Sequence, residues 1–403
     1  MENVIIAGGG ASGIMAALTA AEDKNNRVVL LERQQRIGRK LLATGNGRCN
    51  LTNTGAGPEN YHGEQAGFAL PALRAFTPQD TLEFFHSLGL LTVTEQSGRV
   101  YPLSDSANSV LDVLRLALDM SGVELICSCP VREIRKSGKG YTVLCDDMTL
   151  EADRLIMACG GCAGEKLGGV KDGYELLKPL GHKRTRLLPS LVQLTCEGGF
   201  CRALKGVRCD CAVSFTCSGD TEAASAGELQ FTEKGVSGPV IFEISRAASF
   251  AGGEGELHIN FFRDYELQQV KSFFSARCRS YPQLQCSELL TGMLHNRLGR
   301  MLVKFSGLDP SAPLSTLTES DTEKLAAFCT DFVLTLSGTE GFDKAQITAG
   351  GIKTSGFNPD TLESWFMPGL FCCGELLDVD GDCGGYNLQW AWASGHMAGR
   401  LGR

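Results

Sequence analysis

The stretch Val4-Ile5-Ile6-Ala7-Gly8-Gly9-Gly10-Ala11-Ser12-Gly13 decides the fold at the start of this chain. Its apolar first part predicts a buried parallel strand, its second part fits G-x-G-x-x-G, and residues 14–21 continue as an alanine-rich helix. A second strand is predicted at residues 28–31 and leads into Glu32. This succession of strand, glycine turn, helix, strand and acid predicts a βαβ unit that binds a dinucleotide.

Each glycine of the motif has a predicted role. Gly8 permits the tight turn, Gly10 lets the backbone approach a pyrophosphate, and Gly13 brings the helix close to the strand. The helix N-terminus offers free N–H groups to the anion. Glu32 is placed to accept hydrogen bonds from a ribose diol. The alternative is a glycine-rich turn that binds no ligand.

The composition indicates a globular protein of more than one domain. The chain has 403 residues, of which 43% are hydrophobic and 21% charged, and a formal net charge of −8. No basic run is present, so we expect a small-molecule partner and no nucleic acid. No apolar stretch of about 18 residues and no signal peptide is present, so we expect no membrane partner and a cytoplasmic location.

The cysteines and acidic loops do not indicate a metal site. The 17 cysteines are expected to be reduced in a chain of this length without an export signal. Cys159 and Cys162 have the spacing of a redox dithiol, but they follow an apolar run and favour a strand that enters a glycine turn. Asp378, Asp380 and Asp382 lack the register of a calcium loop.

The order of predicted elements favours a flavin-binding Rossmann domain. A third parallel strand at residues 124–127 precedes an antiparallel meander at 131–152 and a returning strand at 154–158. Such an insertion is typical of FAD-binding rather than nicotinamide-binding domains. The segment at 38–53 is too rich in Gly, Asn and Thr for a helix beyond its first turn, which predicts an extended loop along a ligand.

A second domain is predicted in the middle of the chain. Short alternating strands between about 187 and 262 predict a β-rich domain, and helices follow over 265–337. Leu290, Leu294, Leu298, Met301 and Phe305 make one apolar helical stripe. The stripe fits the core of a helical subdomain or, alternatively, a cap over a substrate pocket.

The end of the chain predicts the other half of the dinucleotide site. Residues 369–375 fit a strand that ends in Gly374 and Glu375, and a loop rich in Gly and Asp leads to a helix that opens at Trp390. The N-terminus of such a helix can stabilise the negative charge of a reduced flavin. Tyr386 and Cys49 are candidate proton donors, with core packing as the alternative, and no catalytic residue is assigned.

Four longer motifs carry a family resemblance: GRKLLATGNGRCNLTN at 38–53, GELQFTEKGVSGP at 227–239, ITAGGI at 347–352 and CGELLDVDGDCGGYNLQWAWASG at 373–395. On these motifs the chain resembles, nearly end to end, the BaiN-like family of FAD-dependent, NAD(P)-linked oxidoreductases, also described as aminoacetone oxidase-like. The resemblance implies an α/β fold similar to the glutathione-reductase class. In it, a discontinuous FAD-binding Rossmann domain holds an inserted β-barrel-like domain and a small helical domain.

The predicted domain boundaries follow this architecture. The FAD-binding domain takes residues 1–186 and 346–403, the β-rich domain takes 187–264 and 326–345, and the helical subdomain takes 265–325.

The resemblance also implies which residues bind FAD. Ala11 and Ser12 would lie at the pyrophosphate, between the motif glycines. From the adenosine to the flavin ring, the other implied residues are Glu32 and Arg33 at the ribose, Val131 at the adenine, Arg39 and Lys40 at the phosphates, Glu375 at the ribityl chain, and Asn387 and Leu388 at the isoalloxazine. A loop that passes close to the flavin contains Gly45, Asn46, Gly47 and Asn50. For Arg39 and Arg48 the alternative is a solvated or ion-paired loop residue.

The activity that the resemblance implies is the passage of hydride from NAD(P)H through flavin N5 to an organic acceptor. An enone carbon–carbon double bond of a steroid or bile acid is favoured, because one branch of the family is associated with saturating such enones. No second G-x-G-x-x-G is present, so NAD(P)H is expected to bind only transiently. The alternatives are an FAD-dependent amine or aminoketone oxidase that uses oxygen, and a non-catalytic flavin-binding or RNA-associated protein.

Overall fold

The structure, a computed structural model, describes residues 1–403 apart from the side chain of Ala66. The chain forms two compact units, residues 1–188 with 346–403 and residues 189–345. The chain leaves the first unit and later returns to it, which confirms the predicted discontinuous Rossmann domain. The finer division of the second unit at residues 264 and 325 stays a prediction.

An open parallel sheet forms the centre of the first unit. Its strands lie in the order Leu370–Cys372, Arg154–Met157, Glu2–Ala7, Asn26–Leu31 and Glu124–Ile126. All neighbouring strands are parallel. The central strands are apolar at successive positions because helices cover both faces of such a sheet. Their carboxyl ends therefore lie along one edge, where ligands bind in folds of this kind.

Small residues let the first and last helices of this unit pack closely. A Cβ built on Gly395 would overlap the Ser12 carbonyl oxygen, so only glycine permits the contact. The buried Trp390 beside it donates its indole N–H to the Gly374 carbonyl oxygen at 3.1 Å. The helices of the first unit are Ala11–Ala20, Arg39–Ala43, Leu70–Ala75, Pro78–Ser87, Ala107–Ser121, Asp172–Leu177 and Tyr386–Gly399.

Shorter antiparallel strands complete the first unit. The predicted meander is confirmed, with strands Val131–Ser137, Gly140–Cys145 and Thr149–Ala152. The remaining short strands are Thr52–Asn53, Tyr61–His62, Thr92–Thr94, Arg99–Pro102, Ile347–Ala349 and Asp380–Gly381, and Leu188–Ser190 crosses the boundary between the units.

Two local predictions in the first unit were wrong. The last helix begins at Tyr386 rather than Trp390, because Gly385, with φ of 106°, provides a left-handed N-cap immediately before it. The segment after Gly38 is not extended throughout. It forms the short helix Arg39–Ala43 and then a 3-10 turn, which Gly45 and Asn46 shape with φ of 56° and 57°.

The second unit contains a closed antiparallel barrel. Around it the strands follow the order Leu194–Cys196, Gly235–Ser237, Asp220–Phe231, Arg208–Cys217, Glu254–Asn260 and Phe332–Thr339. Along Arg208–Cys217 buried and partly exposed residues alternate, as the strand period of two requires. The predicted β-barrel-like domain is confirmed. The helices of this unit are Phe200–Ala203, Pro239–Phe250, Leu267–Ser280, Asn296–Phe305 and Glu319–Thr330.

The apolar stripe in the second unit is only partly helical. The helix starts at Asn296, after His295 accepts the Arg297 N–H at 3.2 Å as an N-cap. Leu290 precedes the helix yet lies in the same core, because a Cβ built on Gly299 would lie 2.9 Å from the Leu290 Cβ. The apolar spacing therefore begins before Asn296, where the helix starts, and it predicted helix over residues that are not helical.

None of the helices built from described residues is long and apolar enough to cross a membrane.

Candidate flavin site

A large cavity lies at the carboxyl edge of the parallel sheet. The residues that follow successive strands line it, including Gly8, Glu32, Val131, Gly160 and Glu375. Its volume is about 1420 Å³ with the solvent space at its mouth. Residues of the first βαβ unit and of the last 30 residues of the chain both line it, so one ligand in the cavity can contact both ends of the chain.

The glycine turn shows three separate reasons for its three motif glycines. Gly8 has φ of 119°, and a Cβ there would overlap the Ala158 carbonyl oxygen. A Cβ on Gly13 would overlap the Gly8 carbonyl oxygen, so helix and strand meet there. A Cβ on Gly10 would meet nothing within 4 Å, which leaves open space above that backbone. The turn thus offers a cradle at Gly10 that a side chain would fill.

Glu32 is held against this turn. One carboxylate oxygen accepts the Gly9 N–H at 2.9 Å and the other accepts the Gln34 N–H at 2.7 Å. Burial raises the pKa of Glu32, while these backbone hydrogen bonds oppose the shift. A carboxylate has about four acceptor positions, so two remain for ligand hydroxyls.

Lys40 and Glu375 bring a cation and a carboxylate into the cavity from distant parts of the chain. Lys40 Nζ lies 2.6 Å from Glu375 Oε2. The other Glu375 oxygen accepts the Thr348 N–H at 2.9 Å. The carboxylate is thus fixed by a backbone hydrogen bond as well as by the ion pair, and it orients the ammonium group of Lys40.

Two arginines lie at the same cavity. Arg39 donates to Gln34 Oε1 at 2.7 Å and to the Lys166 carbonyl oxygen at 3.0 Å. Arg33 lies 3.2 Å from Asp172 in an exposed ion pair. Arg39 therefore lies at the cavity without a carboxylate partner among the described residues, which leaves its charge available to an anion.

The last helix presents its first turn to the cavity through Asn387 and Leu388. The Asn387 side chain is occupied, since it accepts the Gly381 N–H at 2.8 Å and donates to the Gly381 carbonyl oxygen at 2.7 Å. The first N–H groups of a helix lack partners inside it and carry partial positive charge. The helix start rather than the Asn387 amide is therefore the group that can meet a ligand.

The structure brings most of the predicted binding residues to one cavity and leaves some outside it. Those that line it are Gly8, Gly10, Ala11, Ser12, Glu32, Arg33, Arg39, Lys40, Val131, Glu375, Asn387 and Leu388. Gly13, Gly45, Asn46, Gly47, Asn50 and Gly374 do not line it. Gly374 instead packs against the first helix, because a Cβ there would overlap Ser12 Oγ. The Asn50 side chain accepts the Val100 N–H at 3.2 Å. The contact of residues 45–50 with a flavin ring stays a prediction.

Sequence reasoning missed several cavity residues that follow strand ends. Cys129 and Pro130 precede Val131, and Gly160 and Gly161 follow the returning strand. Their position directly after predicted parallel strands was a signal that could have found them. Val379 and Ala391 carried no such signal, because they reach the cavity through the fold of the last loop and helix.

The environments of the two candidate thiols, the buried Cys49 and the partly buried Cys159 at the cavity, disfavour the thiolate form. Burial raises the pKa of Cys159 to about 12, and its Sγ donates to the Ala7 carbonyl oxygen at 3.3 Å. Burial also raises the pKa of Cys49 to about 12. Thiols serve as nucleophiles and redox groups as thiolates, so neither environment favours that chemistry. Arg48, next to Cys49, is ion-paired with Asp105 and Glu95, which agrees with the alternative given for it.

The cavity fits FAD on three grounds: open space above Gly10, cationic side chains beside it, and a helix start at its other end. Fold and site together define a Rossmann-type flavoprotein, an enzyme of the oxidoreductase class. The chain matches the family described as HI0933-like protein Rossmann domain over residues 2–401. It belongs to this family, which confirms the resemblance seen in the motifs.

Relatives and a solved structure extend this assignment. The chain is 42% identical to a 3-dehydro-bile acid delta(4,6)-reductase of Clostridium scindens, over 99% of this chain and 98% of that protein. It is 30% identical to a ribosomal RNA dihydrouridine synthase of Escherichia coli, over 97% and 96%. The fold is similar to that of a 3-ketosteroid delta1-dehydrogenase from Sterolibacterium denitrificans, with TM-score 0.50, 12% identity and 99% of both chains covered.

Proposed function

We propose that this enzyme binds FAD in the cavity described above and reduces a carbon–carbon double bond that is conjugated to a carbonyl group. The observation that carries the proposal is the cavity itself, where the glycine turn, Lys40 and the start of the last helix converge. A diphosphate cradle at one end and a helix N-terminus at the other suit the pyrophosphate and the ring system of FAD.

In this proposal each part of the cavity binds one part of FAD. The N–H groups at Gly10, Ala11 and Ser12 bind the pyrophosphate, and Arg39 and Lys40 balance its charge. Glu32 and Arg33 lie at the adenosine ribose, and the Val131 backbone meets the adenine. Glu375 meets the ribityl chain, and the first turn at Asn387 and Leu388 faces the ring.

The chemistry that FAD supplies when bound is two-electron transfer between a donor and an acceptor. We propose NADH or NADPH as the donor, docked transiently because the chain has one glycine fingerprint of this kind. The partial positive charge at the start of the last helix stabilises negative charge that develops beside it.

The favoured acceptor is an enone of a steroid acid. The proposal is supported by the 42% identity to a bile acid reductase over nearly the full length of both proteins. A second acceptor is the uracil ring of RNA, supported by the 30% identity to a dihydrouridine synthase. Both named activities saturate a double bond adjacent to a carbonyl, so the two candidates differ in the molecule recognised and not in the bond reduced.

Anaerobic mixing of the FAD-loaded protein with NADH and with NADPH tests the donor. We expect one of them to bleach the flavin absorbance rapidly, and a steroid acid with a conjugated 3-ketone to restore the absorbance and gain two hydrogens, as measured by mass spectrometry. A matched saturated steroid acid is the control and should not restore the absorbance.

Two outcomes would contradict the proposed function. If neither NADH nor NADPH bleaches the flavin absorbance, the proposed reductase activity is wrong. Bleaching by an amine or aminoketone, followed by hydrogen peroxide on admission of oxygen, identifies the oxidase alternative instead. Restoration by uridine-containing RNA and not by the steroid acid selects the second acceptor.

A further inference from the structure

One loop of the first unit exposes two consecutive aromatic side chains. Trp365 is 59% exposed and Phe366 is 56% exposed. In the described part of the chain they are the only consecutive residues among the exposed large apolar side chains. The partly exposed Met367 and the exposed Pro368 follow them. We call residues 364–369 the aromatic loop, and none of these residues lines the flavin cavity.

The base of the aromatic loop is buried and hydrogen-bonded. The buried Ser364 accepts the N–H groups of Phe366 and Met367 with its Oγ, at 3.1 and 3.0 Å. The same Oγ lies 3.0 Å from Nε2 of the buried His182. The Phe366 and His182 ring centroids are 5.3 Å apart. Because these contacts already order the loop, binding through its exposed side chains costs little conformational entropy.

The backbone of the aromatic loop leaves no N–H group of residues 365–369 without a partner. Two of these groups bind the serine hydroxyl as described above. The Trp365 N–H donates to the Gly356 carbonyl oxygen at 2.9 Å, and the Gly369 N–H donates to Glu363 Oε1 at 2.7 Å. The one proline of the loop has no N–H. An unpaired N–H is costly to remove from water, so this loop can enter an apolar environment without that cost.

Two lysines lie at the base of the aromatic loop. Lys136 Nζ donates to the carbonyl oxygens of Pro368 and Lys139, at 3.2 Å each, which joins the turn that carries both lysines to the loop. Both lysines are exposed, and among the described residues neither ammonium group lies within 4 Å of a carboxylate. An acid of the same region, Glu363, lies 4.0 Å from Arg154. The positive charges beside the loop are therefore available to an anionic surface.

We propose that the aromatic loop binds the surface of a bilayer that contains anionic lipids. Trp365 and Phe366 enter the headgroup region, and Lys136 and Lys139 lie against the anionic headgroups. Tryptophan suits this position because its ring is apolar and its N–H is polar, and lysines near an anionic leaflet add attraction. The sequence led us to expect no membrane partner because no apolar segment is long enough to span one, and a peripheral loop needs no such segment.

A second copy of the chain or another protein fits this loop less well. A stable protein interface buries about 800 Å² on each partner and takes roughly 20–30 residues a side. The aromatic loop offers one short segment. A bilayer needs no complementary partner of that size, because a few inserted side chains and nearby cations give weak, reversible binding. The proposal goes beyond the proposed function, since it needs neither FAD nor reduction.

Trp365 provides its own probe, because the other two tryptophans, Trp390 and Trp392, are buried. Vesicles of phosphatidylcholine and phosphatidylglycerol in equal amounts are added to the purified full chain with FAD. We expect the tryptophan emission to shift to shorter wavelength and to be quenched by phosphatidylcholine that is brominated on its acyl chains. Trp365→Phe should still sediment with the vesicles but lose both signals.

Vesicle sedimentation measures the contribution of each group. Trp365→Ala should lower the partition coefficient about tenfold, because it removes apolar area that leaves water on binding. Tyr281→Ala removes a half-exposed ring of the second unit and should bind as the wild type does. Lys139→Gln should lower binding about fivefold on the anionic vesicles and not at all on pure phosphatidylcholine. Lys304→Gln, at an exposed position of the second unit, is the matched control and should have no effect.

Three results would overturn the proposal: no sedimentation with anionic vesicles, equal binding by Trp365→Ala and the wild type, or vesicle binding without a change in the Trp365 emission. A dimer that Trp365→Ala abolishes, seen by light scattering without vesicle binding, would identify a second copy as the occupant instead. Trp365→Ala should keep its flavin content and its melting temperature, because the side chain is exposed outside the cavity.

The two proposals fail separately. Absence of vesicle binding with intact enone reduction would contradict this inference alone. A wild-type protein that binds vesicles through Trp365 and retains no FAD would contradict the proposed function alone.

Discussion

The two units of this enzyme place their working groups in opposite ways. In the first unit the parallel sheet is open, so the carboxyl ends of its strands line a cavity. In the second unit the sheet closes on itself, and side chains such as Phe215, Phe231 and Leu257 fill the core. An open sheet thus leaves room for a ligand at its edge, whereas the interior of the barrel is filled by side chains and has no room for one.

The largest effect is expected at the cradle of the first unit. Gly10→Val adds a side chain where a Cβ now meets open space, at φ of −84°, which valine also adopts. The apoprotein should fold normally, while the side chain occupies the space of the pyrophosphate and lowers FAD affinity at least about a thousandfold, or roughly 4 kcal/mol. A fluorescence titration with FAD measures this loss. Unaltered affinity would show that the ligand does not approach Gly10.

The next effect concerns folding rather than binding. Gly13→Ala puts a Cβ onto the Gly8 carbonyl oxygen, so the helix must move away from the strand. We expect the free energy of unfolding to fall by roughly 3 kcal/mol, measured in urea. Gly10→Ala is the matched control and should keep wild-type stability. Equal stability of the two variants would contradict the different roles assigned to the two glycines.

Acid sensitivity should be greater in the first unit. His182 is buried, stacks on Phe357 and shares a hydrogen bond of 3.0 Å with Ser364, and burial lowers its pKa to about 4. The unfolded chain binds a proton near pH 6.5 and the folded chain does not, so stability falls as the pH drops from about 6.5 to about 4.

This contribution is testable by comparing unfolding at pH 7 and pH 5. Between pH 7 and pH 5 the free energy of unfolding of the wild type should fall by about 2 kcal/mol because of His182. In His182→Gln this part of the decrease should be absent. His258→Gln in the second unit is the control. The His258 ring is partly exposed, with Nδ1 2.7 Å from Asp331 Oδ1, and this variant should keep the wild-type decrease in the free energy of unfolding. An unchanged pH dependence in His182→Gln would be the contrary result.

The smallest expected effect is at the ion pair inside the cavity. Lys40→Met removes the ion pair with Glu375 and the cation that the proposal places at the diphosphate, so FAD affinity should fall about tenfold, with little change in stability. Lys139→Met, on an exposed turn of the same unit, serves as the reference in the same titration and should bind as the wild type does. An undiminished affinity in Lys40→Met would place the diphosphate elsewhere.

The sequence predicted the first unit better than the second for a physical reason. Gly8, Gly10, Gly13 and Glu32 form their part of the site within one βαβ unit, so local spacing is sufficient. The start of the last helix was missed because Gly385 sets it through a backbone angle, not through an apolar pattern.

Reconstitution of the purified apoprotein with FAD, followed by gel filtration and an absorbance spectrum, tests the central claim most directly. The account predicts that stoichiometric FAD stays with the wild-type protein and that none stays with Gly10→Val. A wild-type protein that is folded by circular dichroism yet emerges without FAD would contradict it.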